Sequence, residues 1–377
     1  MAVSVFPSAS GGGGGGGEAT TYYGLTAAGT YTVDLPAGIY EMTASKEVVV
    51  SGKTVDVTAS LGLFPSGISS LSLPRTYDLT NWAARSSSIP GEMIRGVAHG
   101  DGLFVAAASS GLIITSPDGI TWTSRASGFG GNWASCAGYG NGLYLVGAGG
   151  ANPLATSSDG ITWTFRAEQF SGSGVNAIAY GNETYVIAGE SGKLSTSTDG
   201  ITWTARTSGF GGQSIYGATF GNGLFVIVGG DSKLSTSTNG ITWTARTSGF
   251  GAQILGITYG NGLYVAVGDF GKLGTSSNGI TWTQRTSGFG SSVIRSVAYS
   301  DERYMAVGNN GKITTSTDGL TWTALSPGFG DVQINGVTNG DGTWVAVASQ
   351  GLIRTSTASE DSAVITLTPK TPSVLLP

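Results

Sequence analysis

The chain has one cysteine, Cys136, and one histidine, His99, among 377 residues. A lone cysteine excludes an intrachain disulfide. One residue of each kind leaves no set of soft ligands, so no metal site is expected. Charge is scarce too: 18 Lys and Arg against 23 Asp and Glu make up 11% of the chain and leave a net charge of −5. With a sequence pI near 4.9 and no basic cluster, no nucleic-acid partner is expected. No run of about 18 apolar residues occurs, which excludes a membrane-spanning helix. The opening residues Met1–Pro7 lack a basic stretch ahead of an apolar one, so no secretory signal is expected. Disorder is excluded as well, because 40% of the chain is apolar and its net charge is low.

Glycine is what the chain has in excess. It supplies 64 residues, about one in six against a usual share of roughly 7%. The glycines do not recur at every third position, which excludes a collagen-like chain. The remainder is rich in Thr, Ser, Val, Ile, Tyr and Trp, the composition of many short strands joined by tight turns.

A repeat organises these residues. Trp82, Trp122, Trp163, Trp203, Trp243, Trp282 and Trp322 follow one another at intervals of 39 to 41 residues. Each unit holds four strand-sized pieces, for example Ile257–Tyr259, Leu263–Val267, Lys272–Ser276 and Ile280–Arg285. Asn-Gly or Asp-Gly pairs such as Asn261-Gly262 join the first and second pieces, and pairs such as Asn278-Gly279 join the third and fourth. Both sets are expected to form two-residue type I′ hairpins. Four antiparallel strands in about 40 residues make one propeller blade.

The first three strands recur seven times, from near 95 to 357, and so does the Trp-bearing fourth strand. The first Trp strand, Thr80–Arg85, precedes the first module, and the last module lacks one. The two halves are complementary, so Thr80–Arg85 is expected to complete the last blade and remove an open edge. The predicted fold is all-β: a seven-bladed propeller over 78–357, preceded by a small β domain.

Ser116-Pro-Asp-Gly-Ile-Thr-Trp122, Ser197-Thr-Asp-Gly-Ile-Thr-Trp203 and four siblings resemble the Asp-box of sialidase-like (BNR) propellers. One residue fewer separates Asp from Gly here than in that family. The resemblance implies a propeller and a structural hairpin clip at Asp118, Asp159, Asp199, Asn239, Asn278 and Asp318. The alternative for these carboxylates is chemistry or metal binding. The same box occurs in glycosidases, photosystem assembly factors and phage virion proteins, so it does not specify an activity.

Arg85, Arg125, Arg166, Arg206, Arg246 and Arg285 recur three residues after each Trp, with Leu325 breaking the series. Equivalent residues are spread around a ring and cannot converge on one ligand, so salt bridges, stacking or backbone contacts are expected. Lys193, Lys233, Lys272 and Lys312 read as solvated turn residues. His99 replaces the Tyr or Phe of other repeats, and Cys136 takes a small buried slot. The Gly-Phe-Gly linkers, such as Gly209-Phe-Gly211, are expected to tuck a Phe between blades. No catalytic constellation and no cofactor motif stands out.

The repeats differ in the turn between their second and third strands and at the position opening the innermost strand. That position holds Arg95, Ser135, Asn176, Tyr216, Leu255, Arg295 and Asn335. In a propeller both sets lie on one face. Either that face meets a ligand, or the uniform turns of the other face are simply under tighter folding constraint. The candidate ligand site is the channel rim at Arg95, Ser135, Asn176, Tyr216, Arg295 and Asn335.

Ahead of the propeller the sequence suggests an apolar arm and glycine tether over 1–18, with seven consecutive glycines at Gly11–Gly17. A small β-sandwich-like attachment domain is expected over 19–77, and a tail with one strand, Val364–Thr368, over 358–377. This modular order resembles bacteriophage tail fibres, head fibres and decoration proteins. It implies a non-enzymatic virion protein, assembled in a bacterial cytoplasm or else extracellular. Such a protein would bind other virion proteins through 1–77, self-associate through that region, and take a host-surface glycan or protein on the propeller. The alternatives are a sialidase-like glycoside hydrolase and a scaffold or assembly-factor propeller.

Overall fold

The computed structural model describes residues 79–150, 153–167, 170 and 172–358 with their side chains. Outside these it describes strand backbones within 21–77 and 359–370. The chain divides into two compact units, Met1–Asp78 with Ala358–Pro377, and Leu79–Thr357.

Leu79–Thr357 is a ring of seven four-stranded antiparallel blades. The first blade runs outward through Ile94–Gly100, Leu103–Ala108, Ile113–Ser116 and Thr123–Arg125. In the last blade Ile334–Gly340, Thr343–Ala348 and the strand Leu352–Ser359 are completed by Ala83–Ser86. The register pairs Leu352 with Ser86 and Thr355 with Ala83, so the expected closure is present. The ring shuts as Ile94–Gly100 neighbours Ile334–Gly340.

The repeating tryptophans stand just ahead of the outermost strands, not within them as expected, because the turn that holds them is longer than two residues. The inner hairpins have the expected geometry: Asn141 and Gly142 take φ of 46° and 74°, as a type I′ turn requires. The outer hairpins do not. There only the glycine turns positive, as at Gly119 with φ 74°. The preceding acid instead folds the turn by hydrogen bonding: Asp199 Oδ1 accepts from the backbone N–H of Ile201 and Thr202 and from Ser197 Oγ, each at 2.8 Å. Asp118, Asp159, Asn239, Asn278 and Asp318 accept the same pair of N–H groups. Those bonds hold the carboxyls of Asp159, Asp199 and Asp318 down to about 2.

The core lies between blades. Phe129 joins Val105, Ala107 and Ile113 of one blade to Tyr144, Val146 and Ala148 of the next. Trp122 reaches back against Val345, Val347 and Ile353 of the preceding blade. The linker phenylalanines are buried as expected, Phe210 and Phe289 completely. Two expectations need correction. The arginines after each Trp form no salt bridges among the described residues. Arg125 and Arg206 donate through Nε to Thr115 and Thr196 Oγ1 at 2.8 and 2.9 Å, a cross-strand pairing repeated at Arg85, Arg166, Arg246 and Arg285. Nor are the turn lysines merely solvated: Lys193, Lys233 and Lys312 donate to the carbonyls of Phe170, Phe210 and Phe289 at 2.7 to 2.9 Å. Each thereby ties a linker to its blade, as a second donor to a carbonyl that already accepts from the backbone N–H three residues on.

His99 lies where the first blade meets the last. Its ring packs at 4.4 Å against Phe104, tilted by 53°, and Nε2 stands 3.3 Å from Asp341 Oδ2. Burial lowers the imidazole pKa below its ordinary 6.5, and attraction to Asp341 opposes this more weakly. The unfolded chain therefore binds a proton here more readily than the folded one. The neutral ring's contribution to stability is present above about pH 6.5 and lost as pH falls through the folded value. We expect His99→Phe to flatten the fall in melting temperature between pH 7 and 5. Parallel profiles for the two proteins would contradict the assignment.

The other unit contributes two four-stranded antiparallel sheets. In one, Ala363–Lys370 lies between Thr21–Leu25 and Gly38–Ala44, with Thr58–Phe64 beyond. The other orders Gly29–Leu35, Gly67–Leu73, Val48–Val50 and Lys53–Val55. The strand expected in the tail thus belongs with the N-terminal strands. The arm and tether expected over 1–18 lie outside the described residues.

Candidate functional site

Each innermost strand slips by one residue as it starts. Ile94 pairs with Ala108 and Gly96 with Ala107, leaving Arg95 as the extra residue of a β-bulge. The same slip leaves out Ser135, Asn176, Tyr216, Leu255, Arg295 and Asn335. A bulge re-aims its extra side chain and frees it from the alternation of the ladder. The repeat variation pointed to these seven positions; the bulge that explains them was not anticipated.

All seven line one cavity of about 360 Å³ at the channel mouth, together with Gln253 and Gln333. Deeper in the channel the next position of each strand is small: Gly96, Cys136, Ala177, Gly217, Gly256, Ser296 and Gly336. Burial pushes the Cys136 thiol up to about 12, so at neutral pH it is not a nucleophilic thiolate.

The mouth residues fall into two groups. Three brace the ring. Ser135 Oγ donates to the carbonyl of Val175, Asn176 Nδ2 to that of Ile215 at 3.2 Å, and Asn335 Nδ2 to that of Ile94 at 2.8 Å. The last bond joins the final blade to the first. The arginines are differently placed. Arg295 donates through Nε to Asn309 Oδ1 at 2.8 Å. Arg95 lies over the Trp133 ring at 4.8 Å, and its buried Nε has no hydrogen-bond partner. Among the described residues no carboxylate forms an ion pair with either. Burial lowers both guanidinium pKa values; at Arg295 the Asp269 carboxylate opposes this and the Arg95 charge adds to it. Both stay protonated at neutral pH. The nine residues lining the mouth therefore carry two positive charges and no negative one, in a chain whose net charge is −5.

The second-to-third turns open on the same face. Each central residue with a described conformation takes positive φ, at Ser110, Ser191, Asp231, Phe270, Asn310 and Gln350. Five are polar residues of modest size; Phe270 holds φ 55° with 68% of its surface exposed. A bulky residue in the left-handed region is strained, and such strain collects at functional positions. Trp133, 62% exposed, is the other large exposed aromatic of this face. No group of three or more His, Cys, Asp or Glu positioned to hold a metal occurs among the described residues.

No protein-family model matches the chain, and no curated protein does. Solved structures do. YCF48 from Cyanidioschyzon merolae is 16% identical, with a TM-score of 0.57 over 73% of this chain and 98% of that one. YCF48 bound to D1 peptide is 14% identical, with a TM-score of 0.61 over 76% and 98%. A catalytically inactive virginiamycin B lyase from Staphylococcus aureus, solved with quinupristin, is 13% identical, with a TM-score of 0.67 over 74% and 99%. An enzyme and a peptide-binding protein share this architecture at similar distance, so what these likenesses establish for the chain is the propeller fold itself.

Proposed function

We propose that the chain is a non-enzymatic structural protein of a bacteriophage particle, a tail fibre, head fibre or decoration protein. Its N-terminal region docks to the particle, and its propeller presents the mouth to a host-surface ligand, protein or glycan. The observation that carries the binding role is the convergence of seven bulged residues of five kinds on one cavity. That cavity offers cations, amides and a phenol, and no carboxylate, imidazole or activated nucleophile with which to work on a bound molecule. The peptide held by YCF48 favours a polypeptide among the possible ligands. The particle role is supported by the modular order of arm, glycine run, small β module and rigid ring.

Deleting residues 1–18 tests the docking half. The shortened protein is expected to fold but to vanish from purified particles, and unchanged incorporation would refute the reading. A panel of fluorogenic glycosides tests the other half: no turnover above buffer is expected, and hydrolysis lost on substitution of mouth residues would make the protein an enzyme.

A further inference from the structure

We infer that the propeller mouth captures the free C-terminal carboxylate of a polypeptide, with Arg95 and Arg295 as its clamp. The inference rests on the mouth being a ligand site and names what enters it. Arg95 and Arg295 are not equivalent to other cations by repeat: the same bulge position holds serine, asparagine, tyrosine or leucine in the remaining blades. Two cations at one mouth repel each other, and burial raises the cost. A fold that needed only a filled position could use a neutral residue there, as five blades do.

Each guanidinium is also held by one side. Arg295 is tethered through Nε to Asn309, and Arg95 rests on Trp133. Of the acids on this face, Asp269 attracts Arg295 without forming an ion pair, and two others are committed elsewhere. Glu92 accepts from Ser109 Oγ at 2.6 Å, and Glu190 from the Gly174 N–H at 3.0 Å. Two preoriented forks, neither in an ion pair, match one planar oxyanion, which a guanidinium can bind through two parallel hydrogen bonds.

The rest of the mouth selects the bearer of that anion. Gln253 lines it beside Gln333, Asn176 and Asn335. Asn176 and Asn335 spend N–H groups on the ring and Gln333 donates to Asn335, but the amide capacity outside these bonds still offers donors and acceptors, the complement of peptide N–H and C=O groups. One face of Trp133 is already covered by Arg95, which removes that face as a platform for stacking a sugar ring. The mouth opens into a well lined deeper down by small and aliphatic residues such as Gly96, Gly217, Ile178 and Ile257, so polar groups meet a ligand chiefly at the rim, where a chain's charged end would sit.

The test uses the full chain and its Arg95→Gln/Arg295→Gln variant, both immobilised. Two pools of random octapeptides are offered, one with free C-terminal carboxylates and one amidated, alongside a panel of sialylated and uronic-acid glycans. The free-acid pool is expected to be retained. Selected peptides should weaken about tenfold or more on amidation, and by a similar factor against the variant, the usual scale for losing a charge-assisted pair. Arg95→Lys/Arg295→Lys keeps the charge and should recover only part of the affinity. Neither variant should lower the melting temperature, because these side chains lie outside the ladder and Arg95→Gln/Arg295→Gln also removes their mutual repulsion.

Equal retention of both peptide pools, retention of neither, indifference to the arginines, or preference for the acidic glycans would each overturn the inference. The display reading fails separately. If the variant abolishes particle attachment to host cells while no peptide binds, the mouth is a receptor site and only the carboxylate assignment falls.

Discussion

Gly260→Ala is expected to destabilise the propeller by about 3 kcal/mol, the upper part of the usual range for overpacking a filled interior. A Cβ at this position would stand 2.0 Å from Tyr299 Cγ in the next blade. The ring of Tyr299 cannot retreat, because its other face packs at 4.6 Å on Tyr304. Tyr304 is itself completely buried and donates its hydroxyl to the Gly260 carbonyl. The modest gain from replacing a strand glycine is too small to compensate. Urea unfolding should show the midpoint falling without a change in slope. In a cycle with Tyr299→Ala the two losses should be strongly non-additive, by more than about 1 kcal/mol, because the clash disappears with the ring. Gly212→Ala, with nothing within 4 Å of the added carbon, is the control and should be neutral within about 0.5 kcal/mol. If Gly260→Ala matched that control, the interface would be looser than its geometry implies.

The second large effect concerns closure. Replacing residues 79–86 with a glycine-serine segment of equal length should cost more than about 4 kcal/mol, on the scale of deleting a buried tryptophan together with its strand. Trp82 is 5% exposed. Its carbonyl accepts from Arg354 Nη1 at 3.0 Å, and Arg85 donates to Thr355 Oγ1 at 2.8 Å. Without these residues the strand beginning at Leu352 presents an unpaired edge. Hydrogen exchange should accelerate at Ile353–Thr355, and the protein should associate as concentration rises. Unchanged exchange and a persistent monomer would mean that closure by this strand is dispensable.

These two effects differ in how far the sequence announces them. Closure is legible because it depends on counting: a Trp strand stands alone at one end and a module lacks one at the other. The glycine contact is not, since Gly260 ends an inner strand like any turn-flanking glycine and its partner lies some 40 residues on. The outer turns misled for a related reason. Asp-Gly and Asn-Gly mark type I′ hairpins by backbone preference, but an Asp side chain can fold a longer turn by itself, and composition does not distinguish the two. The lysines were misread because the carbonyls they reach belong to linkers 23 residues before them. At the mouth, comparing repeats singled out the positions that the bulges re-aim, without their cause. A bulge is a slip between two strands and leaves no mark in either one alone.

That slip has a consequence for how the protein can change. A side chain outside the ladder contributes little to pairing, so its identity is nearly independent of folding. Those bulged positions that do not brace the ring can then be rewritten singly or together while the barrel of blades beneath them stays the same. On the proposed reading of the mouth, the ring is a socket with interchangeable contacts, in which a new recognition preference arises by substitution alone, without any redesign of the scaffold.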